Sequence, residues 1–193
     1  MKIVFRLYRS SIFILSALLF LAIHLTPAVI AQTYQISDLQ NPPEEMLNAD
    51  SFNHIRLSIS KRLIENKHFD SLLLFNPIID RLDQYGFENN GSLRNIYTGQ
   101  GYYMKKYFGD LELALKYYSK AHDIMSREEL QDDSRVFYVE NILGVLHNML
   151  GNHDLSAYYY LLAIEILSAQ KDNRVSRVMN NLGILYQSQL KYD

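Results

Sequence analysis

A short cassette recurs in the second half of this chain, and it limits what the chain can fold into. Gly109-Asp110-Leu111-Glu112 precedes Ala114, Tyr118 and Ala121, and Gly151-Asn152-His153-Asp154 precedes Ser156, Tyr160 and Ala163. In both copies a small residue, a tyrosine and a second small residue fall at offsets 0, +4 and +7. Such offsets lie along one face of a helix. The small residues admit a neighbouring helix at close range, and the ring fills the space beside them. A repeat of this kind implies stacked helical units, each covering its neighbour's apolar face.

The rest of the pattern is helical too. Ile55, Ile59, Leu63 and Ile64 form one apolar stripe, and Leu72, Leu73, Phe75, Ile78, Ile79 and Leu82 form a second. Asn66-Lys67-His68 reads as the turn between them, and Pro77 predicts a kink or a late helix start. Gly86 to Ser92 reads as a loop with Ser92 as N-cap. Helices are then expected from Leu93 to Phe108 and from Asp110 to Arg127. A further pair carries Val136, Val139, Leu143 and Leu146, then Tyr160, Ala163 and Leu167. Asp172-Asn173 is expected to cap a last helix with Val175, Val178, Leu182, Leu185 and Tyr186. No alternating apolar–polar run suggests a strand.

These residues resemble the tetratricopeptide repeat family, whose pattern is Leu-Gly-x-x-Tyr on a first helix and Ala-x-x-x-Tyr-x-x-Ala on a second. Leu182-Gly183-x-x-Tyr186 matches the first part. Leu143-Gly144-x-x-His147, then Ser156, Tyr160 and Ala163, matches both parts, with His147 and Ser156 as departures. Ala114, Tyr118 and Ala121 match the second, but Thr98, Gly99, Gly101, Tyr102 and Tyr103 align only after an insertion of about one residue. The period, 39 residues from Gly144 to Gly183, exceeds the usual ~34. It is similar to extended-helix variants in bacterial signalling proteins.

The resemblance implies an all-α, right-handed α-solenoid of antiparallel hairpins. Its parts are a linker over 32–47, a degenerate hairpin over 48–85, repeats over 92–127 and 133–170, and the first helix of a truncated repeat over 173–193. Ala114, Tyr118, Ala121, Gly144, Ser156, Tyr160, Ala163, Gly183 and Tyr186 are the expected repeat-packing residues. Leu182, Leu185 and Tyr186 are expected to face nothing, because the second helix that would cover them is missing. The chain therefore reads as a fragment of a longer protein, or else the last helix is an imperfect cap.

The function implied is protein or peptide binding. The alignment puts Tyr103, Tyr107, Tyr138, Asn141, Val145, Asn148, Met149, Asn180, Ile184 and Gln187 on a peptide groove. Aromatics supply contact area there, and amides pair with a peptide backbone. The alternative is that they are ordinary surface and inter-repeat contacts. A second function fits the same resemblance: the periplasmic sensor portion of a signalling protein. Its histidine kinase or helix-turn-helix regulator would lie beyond Asp193.

Lys2, Arg6 and Arg9 open the chain, Ile12 to Leu25 is apolar apart from Ser16 and His24, and Val29 and Ala31 suit a signal-peptidase site. Residues 1–31 read as a signal peptide; the alternative is an uncleaved anchor. Export to the periplasm or membrane association in a Gram-negative bacterium is expected. Membrane contact would come only through this segment or one beyond Asp193. Without the leader, the 19 basic residues fall to 16 against 21 acidic ones, a formal charge of −5. That balance offers no footprint for nucleic acid. With no cysteine there is no disulfide framework. The six histidines lack helical metal-site spacing, and no nucleophile elbow or phosphate loop is present. The sequence predicts no enzyme activity, cofactor or metal. Glu128, Glu129, Asp132 and Asp133 read as capping charges between helix pairs.

Overall fold

Asn48 caps the helix that follows it: its side chain accepts from the Asp50 and Ser51 backbone N–H groups at 3.0 and 3.3 Å, the N-cap geometry that starts a helix. The structure, a computed structural model, describes residue 39 and residues 48–84, 91–127 and 136–190. The described residues are all-α, with seven α-helices and no strand among them. Helix α1 spans Ala49–Glu65 and α2 Phe75–Gln84, joined through a 3₁₀ segment, Phe69–Leu74. Helix α3 spans Gly91–Tyr103 and runs on through a π turn, Met104–Phe108; α4 is Leu111–Arg127. Helices α5, α6 and α7 are Val136–Met149, His153–Ala169 and Val175–Gln189.

From α3 onward each helix packs on the next, and α1 packs on α3. One core runs from α1 to α5 and holds Phe52, Ile55, Leu72, Ile96, Tyr118 and Leu143; a second joins α5, α6 and α7 through Phe137, Tyr160, Leu167, Val178 and Leu185.

One joint occurs twice. A Cβ added to Gly101 would lie 2.8 Å from Cδ2 of Tyr118, and one added to Gly144 would lie 2.6 Å from Cδ1 of Tyr160. Each tyrosine ring therefore rests on the backbone of the preceding helix, where only glycine leaves room. Ala114, Ala121, Ser156 and Ala163 flank the two rings and are fully buried. Ser156 departs from alanine for a visible reason: its Oγ donates to the Gly144 carbonyl at 2.7 Å. Gly109 (φ 65°) and Gly151 (φ 78°) end the first helix of each pair in the left-handed conformation that favours glycine.

The π turn is where the two pairs differ. Gly101 and Gly109 are eight residues apart, Gly144 and Gly151 seven. A π turn absorbs one extra residue without breaking the helix, which accounts for the one-residue misfit of this segment to the repeat pattern.

Several expectations need correction. Gly91 already lies within α3, so Ser92 is not its N-cap. Of the two outcomes expected at Pro77, the late helix start is the one observed: Pro77 falls in the first turn of α2, which begins only at Phe75. Arg174 occupies the N-cap position of α7, and Asp172 acts beside it, pairing with its guanidinium and accepting from its backbone N–H at 2.8 Å. Leu39, in the stretch read as linker, is buried in the first core. Leu185 does not face nothing: it is fully buried in the second core, with Leu182 packed beside it. Gly183, expected at a repeat joint, is exposed, and nothing outside its own helix lies within 4 Å of a Cβ added there; Tyr186 is exposed too, against its expected place at a joint but as expected of a residue that no helix covers. The signal peptide over 1–31, residues 86–90 of the loop expected over 86–92, and the acidic cluster at Glu128, Glu129, Asp132 and Asp133 lie outside the described residues.

Candidate functional site

A cavity of about 750 Å³ opens between α1 and α3. Asn53, Arg56, Leu57, Ser60, Lys61, Ile64 and Glu65 line it from α1; Asn95, Thr98, Gly99, Tyr102 and Tyr103 line it from α3. The π turn adds Tyr107 and α5 adds Tyr138. Helical spacing sets the α1 side, since Asn53, Arg56 and Ser60 fall at i, i+3 and i+7 on one face.

Arg56 lies at the base of this cavity and is 1% exposed. Gly99 makes that position available, because a Cβ there would be 2.4 Å from Nη1. The guanidinium therefore packs against α3 at Gly99. Its Nη2 donates to Asn53 Oδ1 at 3.1 Å and to the Asn95 carbonyl at 3.3 Å. Its Cζ sits 5.9 Å from the Tyr103 ring centroid. Nε and Nη1 are buried and have no hydrogen-bond partner among the described residues. Burial pushes the guanidinium pKa down, and Tyr103 opposes that. Glu65, the carboxylate lining the cavity, pairs with Lys61 at 4.0 Å. Among the described residues the buried Arg56 charge has no carboxylate partner, and an unpaired buried charge costs several kcal/mol unless it is compensated.

The aromatic wall is tied together. Tyr103 donates to Ser60 Oγ at 2.8 Å, and Ser60 donates to the Leu57 carbonyl at 3.1 Å. Lys106 donates to the Tyr102 hydroxyl at 2.6 Å and sits 5.0 and 5.3 Å from the Tyr102 and Tyr107 ring centroids. The hydrogen bond to Tyr102 holds the Lys106 pKa above its ordinary value. Tyr107 stacks on Phe69 with centroids 4.6 Å apart. Leu57 and Tyr102 keep exposed surface at the mouth.

A second polar cluster lies between α4, α5 and α6. His122 Nδ1 is 2.7 Å from Glu140 Oε1, and that hydrogen bond raises the histidine's pKa against the opposing effect of burial. His147 stacks on Tyr159 with ring planes 3° apart, and burial lowers its pKa. Among the described residues, no three His, Asp or Glu side chains are grouped to hold a metal ion.

Of the residues placed on the groove by sequence, Tyr103, Tyr107 and Tyr138 line the cavity. The others do not join them. Asn141 is buried, and its Oδ1 accepts from Asn181 at 3.0 Å, because α7 packs across it. Val145 packs into the second core, and Asn148 is half-buried. Met149, Asn180, Ile184 and Gln187 are exposed away from the cavity. Sequence reasoning missed Asn53, Arg56, Ser60, Asn95, Gly99 and Tyr102. Two signals were present: Asn53, Arg56 and Ser60 share one face of α1 beside its apolar stripe, and glycines stand two residues apart at positions 99 and 101.

No family model and no curated protein matches the sequence. The fold matches 18 chains of solved structures. One is the crystal structure of BtubC (BKLC) from P. vanneervenii, with a TM-score of 0.60 and 19% identity over 84% of this chain and 65% of that one. At that identity the likeness is one of fold. The chain spans 65% of the length of BtubC.

Proposed function

We propose that this chain is an exported protein- or peptide-binding scaffold, built as a right-handed α-solenoid of tetratricopeptide type. The observation that carries this reading is the tyrosine-lined cavity, which takes its walls from α1, α3 and α5, the first helix of each successive pair. The repeated glycine–tyrosine joint supports it, since α3–α4 and α5–α6 are joined in the same way. Neither hairpin covers its apolar face alone. Stacking does so at about 25 cal/mol per Å² of apolar surface, and the resulting frame holds the cavity walls in place. Export rests on the basic and apolar character of residues 1–31.

The test is selection of a random peptide library on the purified chain. Enriched peptides are expected to lose binding in Tyr102→Ala and Leu57→Ser and to keep it in Leu161→Ser, a change at an exposed position on α6. Failure to enrich any sequence would overturn the scaffold reading, as would equal losses in all three variants.

A further inference from the structure

Helix α7 carries one half of a joint whose other half no described residue supplies. In α3 and α5 a glycine takes a tyrosine ring of the helix that follows, Gly101 beneath Tyr118 and Gly144 beneath Tyr160. Gly183 stands at the matching place in α7, and nothing outside its own helix lies within 4 Å of a Cβ added there. Met179, Gly183, Tyr186 and Leu190 are all exposed. Their offsets of 0, +4, +7 and +11 set them in one stripe along α7 and its C-cap. The stripe holds no charge, and neither do its edges, Ser176, Asn180 and Gln187 on one side and Val175, Leu182 and Gln189 on the other. The charged residue of α7, Arg177, lies about 200° round the helix from Met179. An exposed apolar strip without charge has the composition of an interface core.

We propose that α7 pairs with α7 of a second copy of this chain, antiparallel and about a two-fold axis, so that Tyr186 of each copy fills the open place at Gly183 of the other. Three observations select a second copy. First, the stripe is self-complementary. Its spacings of four, three and four residues read the same from either end. An antiparallel copy in register therefore sets Gly183 against Tyr186 and Met179 against Leu190, each pair occurring twice. Second, a glycine beneath a tyrosine ring is the contact the chain already uses at two helix joints. Third, the pairing brings no like charges together, and it sets the N-terminal end of one helix dipole beside the C-terminal end of the other. The same register brings Asn180 of one copy to Gln187 of the other, and each amide can both donate and accept. None of these residues lines the cavity between α1 and α3, so the inference stands apart from what that cavity binds.

A single helix pair is a small interface, so a dissociation constant of roughly 10–300 µM is expected. Below that range the chain is monomeric and Gly183 is open. Sedimentation equilibrium over loading concentrations from about 1 µM to about 1 mM spans the transition. Gly183→Glu places its side chain in open space, so it should fold as the parent does and stay monomeric throughout. Gly183→Ala should weaken the dimer about tenfold or more, because its methyl meets the partner ring as an added Cβ at Gly144 meets Tyr160. Ile184→Ser, exposed on another face of α7, should leave association unchanged. Circular dichroism checks that each variant folds. The chain has no cysteine, so introduced thiols report the register. Asn180→Cys/Gln187→Cys should form a covalent dimer under mild oxidation well ahead of either single variant. A chain that stays monomeric at every concentration overturns the proposal. So does a dimer that folded Gly183→Glu leaves intact, or one that cross-links as fast through either single variant as through the double one, since both place the contact elsewhere.

Discussion

Gly144→Ala puts the repeated joint to a direct test. In an open helix interior this change is favourable by about 0.5–1 kcal/mol, because alanine loses less backbone freedom on folding. Here the new methyl would meet Tyr160 Cδ1 and Cε1 at 2.6 Å. The ring is 2% exposed, wedged between Ser156 and Ala163, and cannot swing aside without moving α6. Overpacking of this kind costs about 1–3 kcal/mol. The overlap involves ring carbons and lies well inside van der Waals contact, so the upper half of that range applies. The net expectation is destabilisation by about 1–2 kcal/mol, or a fall in Tm of roughly 2–8 °C. Gly183→Ala is the internal control. It stands at the matching helix position with nothing within 4 Å, so the propensity gain acts alone and the variant should be slightly more stable. Thermal and urea denaturation followed by circular dichroism would read both. Trimming the ring in Gly144→Ala/Tyr160→Leu should remove most of the coupling in a double-mutant cycle. If Gly144→Ala were as stable as the parent, the close contact between helix and ring would be wrong, and with it the account of the repeat.

Asn76 Oδ1 accepts from Gln100 Nε2 at 2.6 Å and from the Tyr117 hydroxyl at 2.9 Å. Asn76→Ala strands one of these donors or both and should cost about 2 kcal/mol or more, measured by urea denaturation. The His122–Glu140 pair predicts a pH dependence. The pKa of His122 is raised in the folded state, so its contribution is fully present below about pH 6.5 and is lost as pH rises through the folded pKa. His147 has the opposite sign: burial lowers its pKa, so stability tied to it falls as pH drops below about 6.5. NMR titration of both imidazoles, repeated in Glu140→Gln, would separate the two. Loss of the upward shift at His122 alone is expected.

The joints were legible because spacing within one helix reports which residues share a face. Ala114, Tyr118 and Ala121 announce a packed seam, as do Ser156, Tyr160 and Ala163, whatever lies opposite. The cavity was not legible in that way. Whether Arg56 meets water, a carboxylate or Gly99 depends on how α1 is laid against α3, across more than 40 residues of sequence, and no periodicity encodes that. Asn141 failed for a related reason: its helix face was read as open, while α7 supplies Asn181 to close it. Tyr186 shows the converse. Its motif is intact, yet no described helix lies over it, and it stays 45% exposed.

The π turn also separates two demands on α3. One added residue would ordinarily swing everything beyond it by about 100° and spoil the fit to the following helix. Here the excess is consumed between Tyr103 and Gly109, so Tyr118 still meets Gly101 as Tyr160 meets Gly144. The segment that reaches the cavity is thereby free to change length and chemistry without upsetting the masonry behind it, a property suited to units that share one architecture and face different guests.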